Sequence, residues 1–370
     1  MSIFSKEKDN TGRQKEIDIT KAICIFLMIL THTFIDINEA SSITEGTLNN
    51  FIAVKLCNIF GASAFMICMG IGFGYSKNIN NPNAYIKRGI NIFIMSYVLN
   101  ILRSLVIIFV ELPLHYGYIE FNEAAIAVLN VDIMQFAGLA LILFGILLKF
   151  KIKPFTMFTI GFGLSVISTF IPYFTTNNAV ADLLIGTLLP NQCCIGDEIY
   201  SCFPLISYMI YPLFGYLYCD LQKRLKNKTK YYLIVTPICG IITIAFVIYF
   251  NKTGSPYFTD LGYYHPTYYY CLINIISTIF LFGICYFLSL LLPEILQKYM
   301  TFTSFAINTI YCVHWVILRN LKSILTINNN FNKPEVPDIY ALIIGITIYI
   351  VAVIITSIYK KIKTKEIKPI

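Results

Sequence analysis

The stretch Ile17-Asp-Ile-Thr-Lys21-Ala-Ile-Cys-Ile-Phe-Leu-Met-Ile-Leu-Thr-His32-Thr-Phe-Ile-Asp-Ile37 decides the fold. A helix needs about 20 predominantly apolar residues to cross a bilayer, and here the charges Asp18 and Lys21 mark one end of the run. Working outward, the same pattern recurs at about 51–75, 90–110, 128–148, 154–174, 201–219, 231–250, 267–292, 302–320 and 338–359. The chain of 370 residues is 57% hydrophobic and 13% charged, whereas a soluble domain has about a quarter of its residues charged. Disorder, a coiled coil, a disulfide scaffold and a soluble enzyme are excluded. The expected class is all-α: a polytopic integral membrane bundle of about ten transmembrane helices, one domain over 1–370.

The net charge of +8 from 28 Lys and Arg against 20 Asp and Glu points to nucleic acid only until the basic residues are located. With a cytoplasmic N-terminus, all but six of them (Lys55, Arg103, Lys252, Arg319, Lys322 and Lys333) fall at inward-facing edges. The positive-inside rule then places both termini in the cytoplasm and requires an even number of spans. Residues 1–16 form the cytoplasmic N-terminus and 360–370 a cytoplasmic basic tail. These runs are topology signals, so no nucleic-acid partner is expected, and the plasma membrane is the expected location. The first apolar stretch follows a basic segment as a signal peptide does. It is longer than a usual signal core, carries Lys21 and His32 and lacks a small-x-small cleavage site, so it is read as a retained span.

Eleven cysteines contain no Cys-x-x-Cys pair and fit no metal spacing. Cys24, Cys68, Cys239, Cys285 and Cys312 read as small apolar residues within spans. For the outward loop with Cys193, Cys194 and Cys202, a disulfide and free thiols both stay open. The apolar run 179–190 is too short to span and reads as a re-entrant or interfacial helix.

Ionisable residues within spans are costly, and so are functional candidates. Asp18, Lys21, Ile25, Met28 and His32 follow 3, 4, 3, 4 spacing and share one helix stripe. Over that stripe the helix rises about 21 Å, so one helix links the inner face to an imidazole in the outer half. The bland reading is an Asp18–Lys21 surface pair and an interfacial histidine. The sharper one makes His32 a general base, since a neutral imidazole, titrating near pH 6.5, takes a proton from an attacking hydroxyl or amine. The third span carries Ser96, Asn100 and Arg103, and the fourth Asp132 and Gln135 near its outer end. Arg103 needs a partner, Asp132 or Glu111 at similar depth, and such a pair can be structural glue alone. The ninth span carries Tyr311 and His314, then Arg319 and Lys322. The four histidines, His32, His115, His265 and His314, all fall in the outer half or outside, while most cations lie inside. Tyr263, Tyr264, Tyr268, Tyr269 and Tyr270 read mainly as interfacial belt, while those beside His265 and Pro266 are able to stack on a sugar ring.

The run from Arg13 through Asp18 and Lys21 to His32 resembles the first helix of the transmembrane acyltransferase superfamily, which contains the acyltransferase-3 and heparan-glucosaminide N-acetyltransferase-like proteins. That family's run is Arg, five residues on Asp, three further on Arg, and His fourteen after the Asp; here Lys21 stands where Arg is usual. Lys keeps the charge and loses the bidentate fork. Similarity continues through Phe65-Met-Ile-Cys-Met-Gly70, where Met69 replaces a Ser, through Tyr85-Ile-Lys87-Arg88, Asp132-Ile-Met-Gln135-Phe-Ala-Gly138 and Thr309-Ile-Tyr311-Cys-Val-His314.

The resemblance implies acyl transfer across the membrane, from cytoplasmic acetyl-CoA to a hydroxyl or amine of an extracytoplasmic saccharide. Arg13, Asp18, Lys21, Lys87 and Arg88 would form the donor site, the cations meeting the CoA phosphates. His32 would act as general base or acyl carrier, Asp132 as its orienting carboxylate, and His314 and Tyr311 as contacts to the acceptor or the oxyanion. Arg103, Gln135 and His265 complete the candidate substrate-binding set. The competing class is a transporter or flippase of a small solute or lipid-linked sugar, because intramembrane His, Asp and Arg also suit a carrier. No clear internal repeat supports it. The sequence leaves the acceptor, the choice of O- or N-acylation and the oligomeric state open.

Overall fold

In the computed structural model, residues 3–8, 10–38, 47–172, 174–176, 178–190 and 202–366 are described. Cys193 and Cys194, and with them the question of a disulfide, lie outside these residues. Ten long helices dominate: α1 (Lys15–Ile37), α2 (Leu48–Gly74), α3 (Pro82–Arg103), α4 (Ile133–Lys149), α5 (Pro154–Phe170), α6 (Ile210–Lys223), α7 (Lys228–Thr253), α8 (Tyr268–Leu291), α9 (Glu294–Asn328) and α10 (Asp338–Glu366). Each coincides with one of the ten apolar segments. Among the described residues there is no strand, only isolated bridges at Phe4–Leu225 and Asn38–Val336.

Six of these helices, α1, α2, α7, α8, α9 and α10, are long and apolar enough to cross a membrane by length and composition. A seventh is reached if α3 is joined to Ile107–Tyr116 across a 41° bend. Helices α4 and α5 have 17 residues each and α6 has 14, short of a full crossing. The run at 179–190 contains the short helix Ala179–Ile185, whose length agrees with a segment unable to span.

Local signals explain where the helices begin. Helix α3 starts at 82 rather than near 90 because Asn81 caps it, its side chain accepting from the Ala84 amide (3.3 Å), with Pro82 following; Pro suits the first helical turn because its missing N–H has no intrahelical acceptor there. Lys87 and Arg88 therefore lie within the helix, in its second turn. Helix α4 starts on a reciprocal capping box between Asp132 and Gln135.

Packing places α1 centrally, against α8, α9, α10 and α2, while α3 pairs with α4, α2 with α6, and α9 with α3. The α3–α4 seam is set by glycines. A Cβ on Gly89 would stand 2.6 Å from the Gly138 carbonyl oxygen, and one on Gly138 2.9 Å from that of Gly89. Such small residues let helix backbones approach closely in a membrane. This close seam, continued by α9 against α3, carries Arg103, Asp132 and Tyr311 to one place. On the outside of the bundle α7 and α10 show apolar faces, including Ile238, Ile241, Ile350 and Ile354.

Candidate active site

Two cavities open at opposite ends of α1's functional stripe. The first, of about 350 Å3, is lined by Arg13, Asp18, Lys21 and Arg88 at its charged end and by Met69, Met134, Asn308 and Tyr311 further along. Asp18 accepts from Arg13 Nε (2.5 Å) and Nη2 (3.1 Å) and from Ser304 Oγ (2.6 Å). The same contact raises the Arg13 pKa further above its ordinary value, the hydrogen bond that Arg13 donates to Asp18 being the largest cause. Arg13 Nη2 also donates to the Thr301 carbonyl (3.3 Å). The expected Asp18–Lys21 pair is not the one formed. Because Asp18 is saturated by Arg13 and Ser304, Lys21 and Arg88 line this cavity without an ion pair among the described residues, which leaves it a net positive field. Lys87, one residue away, is exposed and lines neither cavity.

The second cavity, of about 200 Å3, is lined by His32, Asp132, Asn58, Cys57 and the aromatic residues Phe203, Tyr263 and Tyr264, with Lys333 at its exposed rim. Asp132 is the hub. Its Oδ1 accepts from the Ile133 amide (2.7 Å), its own N–H donates to Gln135 Oε1 (3.1 Å), and its Oδ2 accepts from Arg103 Nη1 (2.9 Å) and from the Tyr311 hydroxyl (2.8 Å). Of the two carboxylates offered to Arg103 by the sequence, the structure uses Asp132 rather than Glu111. Holding the ion pair with a cap and a phenol satisfies most of its lone pairs, as a buried pair requires.

Asp132 does not hydrogen-bond His32 among the described residues, although both line this cavity. The His32 ring instead lies against Trp315, with centroids 4.3 Å apart, and stacks with His314 at 5.9 Å. The Arg103 guanidinium sits over the Trp315 ring at 4.9 Å. Trp315 thus connects the histidine to the Arg103–Asp132 pair by packing. His314 is fully buried and lines neither cavity, and among the described residues neither ring nitrogen is within hydrogen-bonding geometry of a partner.

Other sequence candidates fall elsewhere. Gln135 is buried with both ends of its amide used, the nitrogen donating to the Asn130 carbonyl (3.2 Å), so it holds the start of α4. Arg103 is buried behind the cavities. His265 is buried and lines neither cavity, while its neighbours Tyr263 and Tyr264 do. Trp315 and Ser304 were not singled out by the sequence, and Phe65 and Ile133 stood there only within family-like runs, with no role at the site. Trp315 is the chain's only tryptophan, a signal that was available, and Asp132-x-x-Gln135 was legible as a capping box.

A family model described as heparan-alpha-glucosaminide N-acetyltransferase, catalytic, matches residues 13–254, from the arginine that pairs with Asp18 to the end of α7. The chain belongs to that family. No curated protein and no solved structure matches it. Membership makes the chain a membrane acetyltransferase in kind, and the apolar helices agree. The match takes in Arg13, Lys21, Arg88, His32 and Asp132, all of which line the two cavities. Tyr311, His314 and Trp315 lie beyond it and join the site through the packing of α9 on α1 and α3.

Proposed function

We propose that the protein transfers an acetyl or similar acyl group from cytoplasmic acyl-CoA to a hydroxyl or amine of an extracytoplasmic saccharide, acting as an O- or N-acetyltransferase of a cell-envelope glycan in the plasma membrane. The observation that carries this reading is the pair of cavities along one stripe of α1: one with two cations unpaired among the described residues, the other with an imidazole. The positive charges at the membrane edges support a ten-span topology with both termini cytoplasmic, which gives the basic cavity to the cytoplasm and the histidine cavity to the outer side. The short helices α4, α5 and α6 then cross as parts of a bundle.

Lys21 and Arg88 fit the donor's phosphates, because each offers a charged donor that no carboxylate quenches. From Leu141 to Ile133 along α4 the basic cavity follows about 12 Å of helix, a length along which the acyl-bearing arm of the donor can lie. The donor supplies an activated acyl thioester. His32 takes the proton of the acceptor's hydroxyl or amine as that oxygen or nitrogen bonds to the acyl carbon. The carbon–sulfur bond breaks and the departing sulfur is reprotonated, so CoA thiol and acylated acceptor are the products. Trp315 holds the His32 ring in place, and the Arg103–Asp132–Tyr311 cluster holds Trp315 and the start of α4. Tyr263, Tyr264 and Phe203 give a sugar apolar faces to stack on.

The test is acetyl-CoA binding and turnover by the purified protein in detergent, comparing wild type, His32→Ala and Arg88→Ala. Wild type should bind and turn over, His32→Ala should bind without turnover, and Arg88→Ala should bind weakly. Failure of wild type to bind any acyl-CoA would defeat the proposal and leave a carrier as the better reading.

A further inference from the structure

The two cavities have separate walls except at Phe65 and Ile133, which line both. The change of side falls at one level on both helices. On α2, Gly61 and Ala62 face the histidine cavity and Met69 and Gly72 the basic one; on α4, Asp132 faces the first and Met134 and Ala137 the second. We propose that Phe65, backed by Ile133, is a movable partition between the donor and acceptor cavities, which keeps the acyl thioester away from His32 and from the water that this base would activate until an acceptor is present. This rests on the transfer function proposed above.

Three observations carry it. Each cavity reaches exposed residues at its own end, Arg13 and Arg88 on one side, Ile35 and Lys333 on the other, so water can fill both. A base able to activate a sugar hydroxyl can activate water equally, and an open connection would therefore hydrolyse the donor. The partition also has a means of moving. Helix α2 is π-helical over Phe51–Leu56 and broken at Gly61, whose ψ of −102° is not helical, four residues before Phe65. Irregular turns of this kind inside a helix are frequent at functional sites. Phe65 is half-buried, whereas Met66, Ile67 and Cys68 beside it are fully buried, so it is the side chain in this turn with room to swing. Ile133 is fixed by the capping box of α4 and forms the static half.

The experiment measures two rates in the same purified protein: acetyl-CoA hydrolysis without acceptor, and acyl transfer with it. Phe65→Ala should raise hydrolysis by about an order of magnitude while transfer per CoA consumed falls, and Ile133→Ala should shift the ratio in the same direction by less. Phe65→Trp should slow transfer by about tenfold or more with the donor Kd changed by less than about threefold, because a larger ring blocks passage without touching the phosphates. Phe65→Leu should restore the wild-type ratio. If Phe65→Ala folds, binds donor and leaves the ratio of hydrolysis to transfer unchanged, or if Phe65→Trp folds, binds donor and transfers at the wild-type rate, the partition is overturned while the transfer reading stands. If wild type neither binds nor consumes acetyl-CoA, the transfer reading falls, and the partition with it.

Discussion

The two ends of α1 treat charge in opposite ways. At the N-terminal end Asp18 is satisfied by Arg13 and Ser304, and Lys21 and Arg88 face the cavity without an ion pair among the described residues. Toward the C-terminal end the acidic side chains are neutralised in place, Asp132 by Arg103 at 2.9 Å and Asp36 by Arg319 and Lys322 at 3.2 Å each. One end is left with a positive field suited to a multiply charged ligand. The other is left with an imidazole among aromatic walls, where a proton can move without crossing a strong field. On the function proposed above, binding and chemistry are separated along a single helix, and each should break alone.

The largest effect is expected from His32→Ala. Loss of a general base lowers turnover by roughly 10²–10⁴-fold, and the donor Kd should stay within about twofold because His32 lies outside the basic cavity. Equal losses in both quantities would show that the two ends are not separate.

Next come the ion pairs, which differ in burial. The Arg103 and Asp132 side chains are 5% and 15% exposed, against 54% for Arg13 opposite Asp18. Removing one partner of a buried pair strands the other, so Asp132→Ala should destabilise the protein by about 3–5 kcal/mol. Arg13→Ala should cost about 1 kcal/mol or less, since its charge is largely solvated and screened. Thermal unfolding in detergent reads both, and similar losses would contradict the contrast.

How much of this was legible in the sequence differs between the two ends. The stripe from Asp18 to His32 was, because helical spacing is one-dimensional. The ten apolar segments were as well, and so was the need of Arg103 for a carboxylate. What the sequence hid is convergence. Nothing in residues 80–90 says that Arg88 turns into the cavity and Lys87 away from it, because that depends on where Asn81 starts the helix and on the glycine seam that rotates α3 against α4. Hydropathy also placed that start some eight residues late, since the first turns of α3 carry Asn83, Lys87 and Arg88 and fall outside the apolar run. Trp315 was passed over because stacking on His32 requires α9 to lie beside α1, which no spacing reveals. The direct Asp132–His32 contact failed for a similar reason, as the carboxylate is already engaged by α3, α4 and α9.

A moderate effect should separate two adjacent cations. Arg88→Ala removes a charge that faces the basic cavity and should weaken acetyl-CoA binding by roughly 10–100-fold, the value of a hydrogen bond to a charged group. Lys87→Ala should change the Kd by less than about twofold, the range of a solvated surface charge. Equilibrium binding at two salt concentrations checks both. The Arg88 contribution should shrink as salt rises, and a Lys87 effect equal to that of Arg88 would move the donor site to the outer surface of α3.

The smallest effect concerns the one departure from the family's first-helix run. Lys21 is half-buried, lines the basic cavity and forms no ion pair among the described residues. As an ammonium it acts on an anion as a point charge, without the planar fork by which arginine grips a phosphate at two oxygens. Lys21→Arg should therefore tighten donor binding by a few-fold, about 1 kcal/mol or less, within the gain from one added charge-assisted hydrogen bond. Turnover should not rise with it, because binding ground state and transition state equally lowers KM without raising kcat. The sign of this small change is the informative part. Tighter binding with unchanged kcat puts Lys21 on the donor's phosphates, whereas weaker binding means that the compact ammonium fits a space that a guanidinium overfills. A change in kcat alone would tie Lys21 to the chemistry at His32, three turns up the same helix, and so would remove the division of labour along α1.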